Sequence, residues 1–225
     1  GLDIYVEKPL TLTVEEGRVL AKVVDKYKRV LQTGSQQRSM PINRYASELI
    51  RTGKIGKIQS VVVCNFLPGL KWTPRAGQPT PEGMNWDQWC NQTELRSYDN
   101  DLQFGWNRWW DYDAGGQSWG VTGWGTHSLD QVQCALGTDE TGPAEIWTEN
   151  RTTEDAPDFT LRKDPLWQPV LNRKPVMMRY ANGTLLKLEE PARPGLDQLG
   201  AIFNGEKGRI HILRGSYRAD QPELL

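Results

Sequence analysis

The chain has 225 residues, 37% of them hydrophobic, with 27 Lys and Arg set against 28 Asp and Glu for a formal net charge of −1. That is the composition of an ordinary globular protein of one large domain, or of one domain plus part of another. The charge balance leaves no electrostatic footprint for nucleic acid or anionic lipid, and no apolar run approaches the roughly 20 residues of a membrane span.

Residues 2–6 form a short β-branched and aromatic run that predicts a buried strand, followed at once by Glu7-Lys8-Pro9. Thr13 and Glu16 have the spacing of a capping box, and Leu20, Val23, Val24, Tyr27 and Leu31 trace one helical face after it. Residues 30–33 read as the next strand, ending at Gly34. Strand, helix and strand make a βαβ unit, so the two strands should be parallel. Such a unit cannot bury its own apolar surface, so more chain is expected ahead of Gly1. Pro41, the face Ile42, Tyr45, Ala46, Leu49 and Ile50, and a stop at Gly53 define a second helix. Residues 58–66 read as a strand.

Residues 67–120 are rich in Pro, Gly, Asn, Asp and Trp and show little periodicity; loop regions of that length are usually functional or interfacial. Eight of the ten tryptophans lie between Trp72 and Trp124. A flat apolar ring with one N–H suits sugar faces and packing alike, so most are expected in cores or subunit contacts and one or two in a substrate pocket. The three cysteines, Cys64, Cys90 and Cys134, are far apart and show no paired metal spacing. They argue against a disulfide framework or zinc site, and fit a cytoplasmic protein.

A glycine-rich stretch, Gly115 to Gly125, leads to His127, one of only two histidines, three residues before Asp130. Leu129, Val132 and Leu136 then follow a helical spacing up to a stop at Gly137, which places His127 and Asp130 on one face of the first turn. A histidine there can reach a bound substrate and titrate near neutral pH, or can simply cap the helix. Strands follow at 143–148, at 176–180 and 184–189 around an Asn182-Gly183 hairpin turn, and at 201–203 and 209–213. His211 alternates with Ile210 and Ile212 and reads as an outward residue without a role. The pattern is α+β: a piece of parallel α/β sheet leads into a mainly antiparallel open sheet with helices on one side.

Five motifs occur in one order: Glu7-Lys8-Pro9 after a strand, Gly34-Ser35-Gln36-Gln37-Arg38, Gly53-x-Ile55-Gly56-x-Ile58, Gly125-x-His127-x-x-Asp130, and the hairpins Tyr180-x-Asn182-Gly183 and Gly205-x-Lys207-Gly208. Together they resemble the glucose–fructose oxidoreductase/inositol dehydrogenase (Gfo/Idh/MocA) family over nearly the whole chain. The resemblance implies that residues 1–38 are the last βαβ piece of a Rossmann-type NAD- or NADP-binding domain. Residues 39–225 would be a substrate-binding and oligomerisation domain that pairs copies through its sheet. It also implies that Glu7, Lys8, Pro9 and Gln36 lie against the cofactor and that Lys8 and His127 carry out proton chemistry. Two features depart from the family: no Gly-x-Gly-x-x-Gly fingerprint is present, and Gly123 stands where many relatives have an aspartate four residues before the histidine.

Hydride transfer requires the substrate oxygen to lose or gain a proton. Lys8 suits polarisation of that oxygen and His127 suits general acid/base work. Asp130 is the candidate to replace the acid lost at Gly123, by fixing the His127 tautomer or binding a substrate hydroxyl; it would otherwise be a charge at a helix N-terminus. Gln37 and Arg38 could bind a hydroxyl or carboxylate, with a structural ion pair the alternative for Arg38, and Trp109, Trp110 and Asp111 are candidate sugar contacts. The expected function is hydride transfer to or from a sugar, polyol or related hydroxy compound. The alternatives are a glycosidase- or lyase-like variant of that chemistry and a non-catalytic oligomerising domain without cofactor.

Overall fold

The computed structural model describes residues 1–11, 13–64, 74–91, 93–106, 109, 112, 123–148, 175–189 and 199–225. Its first unit is β1 (Ile4–Glu7), α1 (Val14–Tyr27) and β2 (Leu31–Gly34), and the strands pair in parallel from Ile4↔Leu31 to Glu7↔Gly34. The capping box forms: the Thr13 hydroxyl accepts the Glu16 N–H and the Glu16 carboxylate accepts the Thr13 N–H, each at 3.2 Å. No residue of α1 is buried. Its apolar stripe of Val19, Leu20 and Val23 lines an open groove.

A 3₁₀ turn (Gln36–Ser39) leads from β2 into α2 (Pro41–Arg51), which has proline in its first turn, where the missing N–H costs nothing. β3 (Ile58–Val63) follows, then two short helices in the tryptophan-rich region, α3 (Trp86–Cys90) and α4 (Asn100–Phe104), capped by Asn85 and Asp99 side chains. After α5 (Gly125–Leu136) come β4 (Glu145–Thr148), β5 (Val176–Arg179), β6 (Leu185–Leu188), β7 (Ala201–Gly205), β8 (Arg209–Leu213) and β9 (Ser216–Ala219). Strands β3 to β9 form one seven-stranded sheet in the order β4-β5-β6-β3-β7-β8-β9, antiparallel except for the β3–β6 pair. This is the α+β architecture expected. β9 was not foreseen: four residues with only Tyr217 and Ala219 facing the core give too short an alternation to stand out.

The main core is the sheet face of Val61, Val63, Leu186, Leu188, Phe203, Ile210 and Ile212 packed on Ala46, Leu49 and Ile50 of α2 and Val132 and Ala135 of α5. Burying apolar area of this kind is the dominant stabilising contribution. One expectation is corrected: Tyr45 is 53% exposed, and Asn43 and Ser47 are buried on the face of α2 where apolar spacing had put Tyr45. The two polar side chains go inward because each finds hydrogen-bond partners there. A second, separate cluster consists of Trp86, Cys90, Tyr98, Leu102 and Trp109, with Trp86 and Trp89 stacked at 4.4 Å.

Candidate active site

α5 begins directly after the Gly123-Trp124 turn, and the His127 N–H donates to the Trp124 carbonyl at 3.0 Å. The helix turns His127, Ser128, Gln131, Val132 and Ala135 inward and ends at Gly137, whose φ of +66° is the left-handed closure that glycine adopts freely. The imidazole is therefore carried into the interior by the same face that packs the core, at 7% exposure.

Lys8 follows the carboxyl end of β1, and its Nζ donates to the carbonyl oxygen of Gly123 at 2.9 Å. This one bond joins the end of the parallel strand pair to the turn that launches His127. At the same strand end the Glu7 carboxylate lies over the bare backbone of Gly34. The carboxyl ends of parallel strands are where α/β sheets place their ligands. Pro9 follows a cis peptide bond and is exposed, as is Gln36 at the start of the 3₁₀ turn.

Burial pushes the His127 pKa down from 6.5 to about 4, helped by the positive charges of Lys8 and Arg214 and opposed by Asp130. The ring is thus neutral at physiological pH, with one nitrogen available to accept a proton. A consequence for stability follows. Because the folded pKa lies below the unfolded value, His127 costs nothing above pH 6.5, and stability is lost as pH falls from 6.5 toward 4, where only the unfolded chain takes up the proton. His127→Gln should remove this part of the acid destabilisation, measured as urea unfolding against pH.

Asp130 is turned toward Arg38. The Arg38 Nε donates to both Asp130 oxygens at 2.9 Å, and its terminal nitrogen lies 2.8 Å from Asp130 and 2.6 Å from Asp139. These carboxylates hold the guanidinium firmly in its charged form. Among the described residues no hydrogen bond joins Asp130 to His127, so Asp130 acts on the imidazole through its charge. The structure brings together Lys8, His127 and, around Arg38, Asp130. Gln37 is placed differently: it is buried, donates to the Leu199 carbonyl at 2.9 Å, and accepts from Asn43 at 3.2 Å. Trp109 is in the second cluster, 5% exposed, with the Arg75 guanidinium 5.7 Å from its ring centre. Trp110 and Asp111 lie outside the described residues. Among the described residues no group of three or more His, Cys, Asp or Glu side chains could hold a metal ion.

A family model described as the C-terminal alpha/beta domain of an oxidoreductase family, the Gfo/Idh/MocA one, matches residues 68–225. The chain belongs to the Gfo/Idh/MocA oxidoreductase family. Solved structures share its fold. Myo-inositol 2-dehydrogenase from Lactobacillus plantarum is 18% identical with a TM-score of 0.52, over 94% of this chain and 50% of that one. An inositol dehydrogenase homolog from Azotobacter vinelandii, solved with NAD⁺, is 17% identical with a TM-score of 0.55, over 94% of this chain and 45% of that one. The WlbA dehydrogenase from Bordetella pertussis, solved with NADH and UDP-GlcNAcA, is 16% identical with a TM-score of 0.54, over 99% of this chain and 57% of that one. The chain thus spans about half the length of these structures. No curated protein sequence matches it. No helix among the described residues is long and apolar enough to cross a membrane.

In this Gfo/Idh/MocA chain the surroundings of His127 include groups that sequence reading did not single out: the Gly123 carbonyl, Arg214, Asp139, and the buried amides of Asn43 and Gln131. A carbonyl leaves no mark in a sequence. Asn43 and Gln131 were detectable in principle as polar residues at positions whose helical neighbours are buried.

Proposed function

We propose that the chain is the substrate-binding part of an NAD- or NADP-dependent oxidoreductase that transfers hydride to or from a sugar, polyol or related hydroxy compound. The observation that carries the reading is the Lys8–Gly123 bond, which ties a cation at a parallel-strand end to the turn before a buried, neutral histidine. A dinucleotide fits these residues in part. Glu7 and Lys8 offer a carboxylate and an ammonium suited to ribose hydroxyls, with Pro9 and Gln36 beside them. The Gly-rich phosphate turn would have to come from other chain. The exposed stripe of α1 supports assigning residues 1–38 to a larger Rossmann-type domain and 39–225 to the substrate domain. The sheet face opposite the helices, with Val62, Trp147, Met177, Ile202 and His211, is the surface through which copies would pair.

A bound nicotinamide supplies the hydride acceptor or donor. The chain supplies the proton chemistry. His127, held neutral, takes the proton of the substrate hydroxyl during oxidation and returns it during reduction. Lys8 polarises the same oxygen, and the Gly123 carbonyl fixes the ammonium at the position where many relatives of this family have an aspartate. Asp130, held by Arg38, sets the position of the helix end and tempers the positive field on His127. The compartment that suits the chain is a reducing one such as the cytoplasm.

The test uses the full-length protein with NAD⁺ or NADP⁺ and a panel of polyols and aldoses, following nicotinamide absorbance. Reduction is expected with at least one of them, and Lys8→Ala should slow it about 10²-fold, the lower end of acid/base contributions. Failure to bind either dinucleotide would overturn the reading and favour a non-catalytic oligomerising domain.

A further inference from the structure

The helix that carries His127 is gripped on two sides by consecutive residues of one short turn. The 3₁₀ turn follows directly on β2 and is closed by its own backbone. The Arg38 N–H donates to the Ser35 carbonyl at 3.0 Å, and the Met40 N–H donates to the Gln37 carbonyl at 3.2 Å. Arg38 holds the outer side of α5. Its guanidinium takes both oxygens of Asp130 at 2.9 Å and reaches Asp139, beyond the helix end at Gly137, at 2.6 Å. Gln37 points the other way, into the interior. Asn43 Nδ2 donates to Gln37 Oε1 at 3.2 Å and to Gln131 Oε1 at 2.9 Å, and Gln131 Nε2 donates to Ser47 Oγ at 2.6 Å. All four of these polar side chains are buried.

Asp130 and Gln131 follow His127 by three and four residues. On a helix those positions lie one turn along from it, about 60° to one side and about 40° to the other. Ties at both points oppose rotation of α5 about its axis, and the reach to Asp139 opposes sliding along it. Nothing local does this at the start of the helix, since the N-cap Trp124 makes no side-chain capping bond. The frame that holds α5 is therefore the carboxyl end of the parallel strands, the same end from which Lys8 reaches the Gly123 carbonyl.

We propose that the 3₁₀ turn is the positioning element for His127 and that Arg38 is its positioning residue, setting the imidazole against the reacting atoms. The guanidinium that sequence reading offered to a substrate carboxylate is engaged by two carboxylates of the chain itself. A fork bonded to both oxygens of a carboxylate fixes direction as well as distance, which an ammonium does not. Half-exposed ion pairs add little stability, whereas displacing a proton-transfer group by about 1 Å costs about 10²-fold in rate. The effect of Arg38 should therefore fall on turnover more than on folding. This inference rests on the oxidoreductase reading for the reaction, but not for the placement of the imidazole.

The experiment compares wild type, Arg38→Met and Arg38→Lys in the full-length protein. It reads kcat and KM on the polyol and aldose panel, dinucleotide affinity, thermal unfolding, and ¹⁵N-histidine NMR without dinucleotide, with the His127 signal assigned by its loss in His127→Asn. Arg38→Met should lower kcat about tenfold to 10²-fold, with KM and dinucleotide affinity changed by less than about twofold. The His127 signal should move and the His211 signal should not. Arg38→Lys keeps the charge without the fork, so it should recover only part of both effects. In a protein already carrying Asp130→Asn and Asp139→Asn, Arg38→Met should lower kcat no further. An unmoved His127 signal or an unchanged kcat would overturn the proposal, and full recovery in Arg38→Lys would reduce the effect to charge and overturn it as well. A raised KM at unchanged kcat would assign Arg38 to the substrate, and a loss of dinucleotide affinity would assign it to the cofactor; either result also overturns the proposal. If wild type turns over nothing on the panel, the oxidoreductase reading falls alone when the His127 signal moves in Arg38→Met, and both fall when it does not.

Discussion

Replacing His127 by alanine should lower turnover of the full-length protein by about 10²–10⁴-fold and barely change its affinity for dinucleotide. The size follows from the loss of a positioned general base. The selectivity follows from geometry, since the groups proposed for the cofactor, Glu7 and Lys8, are held by β1 and by the Gly123 carbonyl rather than by the imidazole. Alanine also leaves a void at a 7% exposed position, so His127→Asn should be measured beside it. Asparagine restores bulk and hydrogen bonding but not a base, so its turnover should stay low. Unchanged turnover in either variant, with the fold intact, would take His127 out of the mechanism.

Asn43→Ala should destabilise the protein by about 2–4 kcal/mol, read as a shift of the urea midpoint at unchanged slope. Asn43 is 1% exposed, and its amide serves Gln37, Gln131, the Leu213 carbonyl and the Gly215 N–H together. Removing it leaves several buried groups unanswered, each worth about 1–3 kcal/mol and not additive. The same amide joins α2 to the turn between β8 and β9 and to Gln131 of α5, the helix that carries His127. Tyr45→Ala is the contrast: at 53% exposure, with a tilted contact to Tyr217 at 6.0 Å, it should cost less than about 1 kcal/mol. A loss for Tyr45→Ala equal to that for Asn43→Ala would contradict the assignment of the buried face of α2.

Much of this fold is legible in the sequence because local chemistry and tertiary contacts agree. The Thr13–Glu16 box, proline at the start of α2, the Asn182-Gly183 turn and Gly137 at the end of α5 each act within a few residues, and each appears where its residue type puts it. The inward face of α2 did not, because apolar spacing counts Tyr45 as core and cannot see that Asn43 and Ser47 have partners 84 and more residues away. The site divides in the same manner. His127 and Lys8 stand out as chemistry-bearing residues beside a glycine-rich turn and a strand end. Asp130 stands out too, but its ion pair with Arg38, 92 residues distant, follows only from the packing of the 3₁₀ turn against α5. Arg214 carries no signal beyond that of an arginine in a turn; the turn itself is held by Asn43, whose amide donates to the Leu213 carbonyl 170 positions away.

The protonation state of His127 is what the whole account depends on, and it can be read directly. The chain has two histidines, so ¹⁵N-histidine NMR of the full-length protein, with His211→Gln for assignment, resolves the His127 ring through a pH titration. The imidazole should remain neutral down to about pH 4, and its midpoint should rise in Lys8→Met and in Arg214→Met. A midpoint at or above 6.5, or one indifferent to both substitutions, would contradict a buried neutral base flanked by two cations.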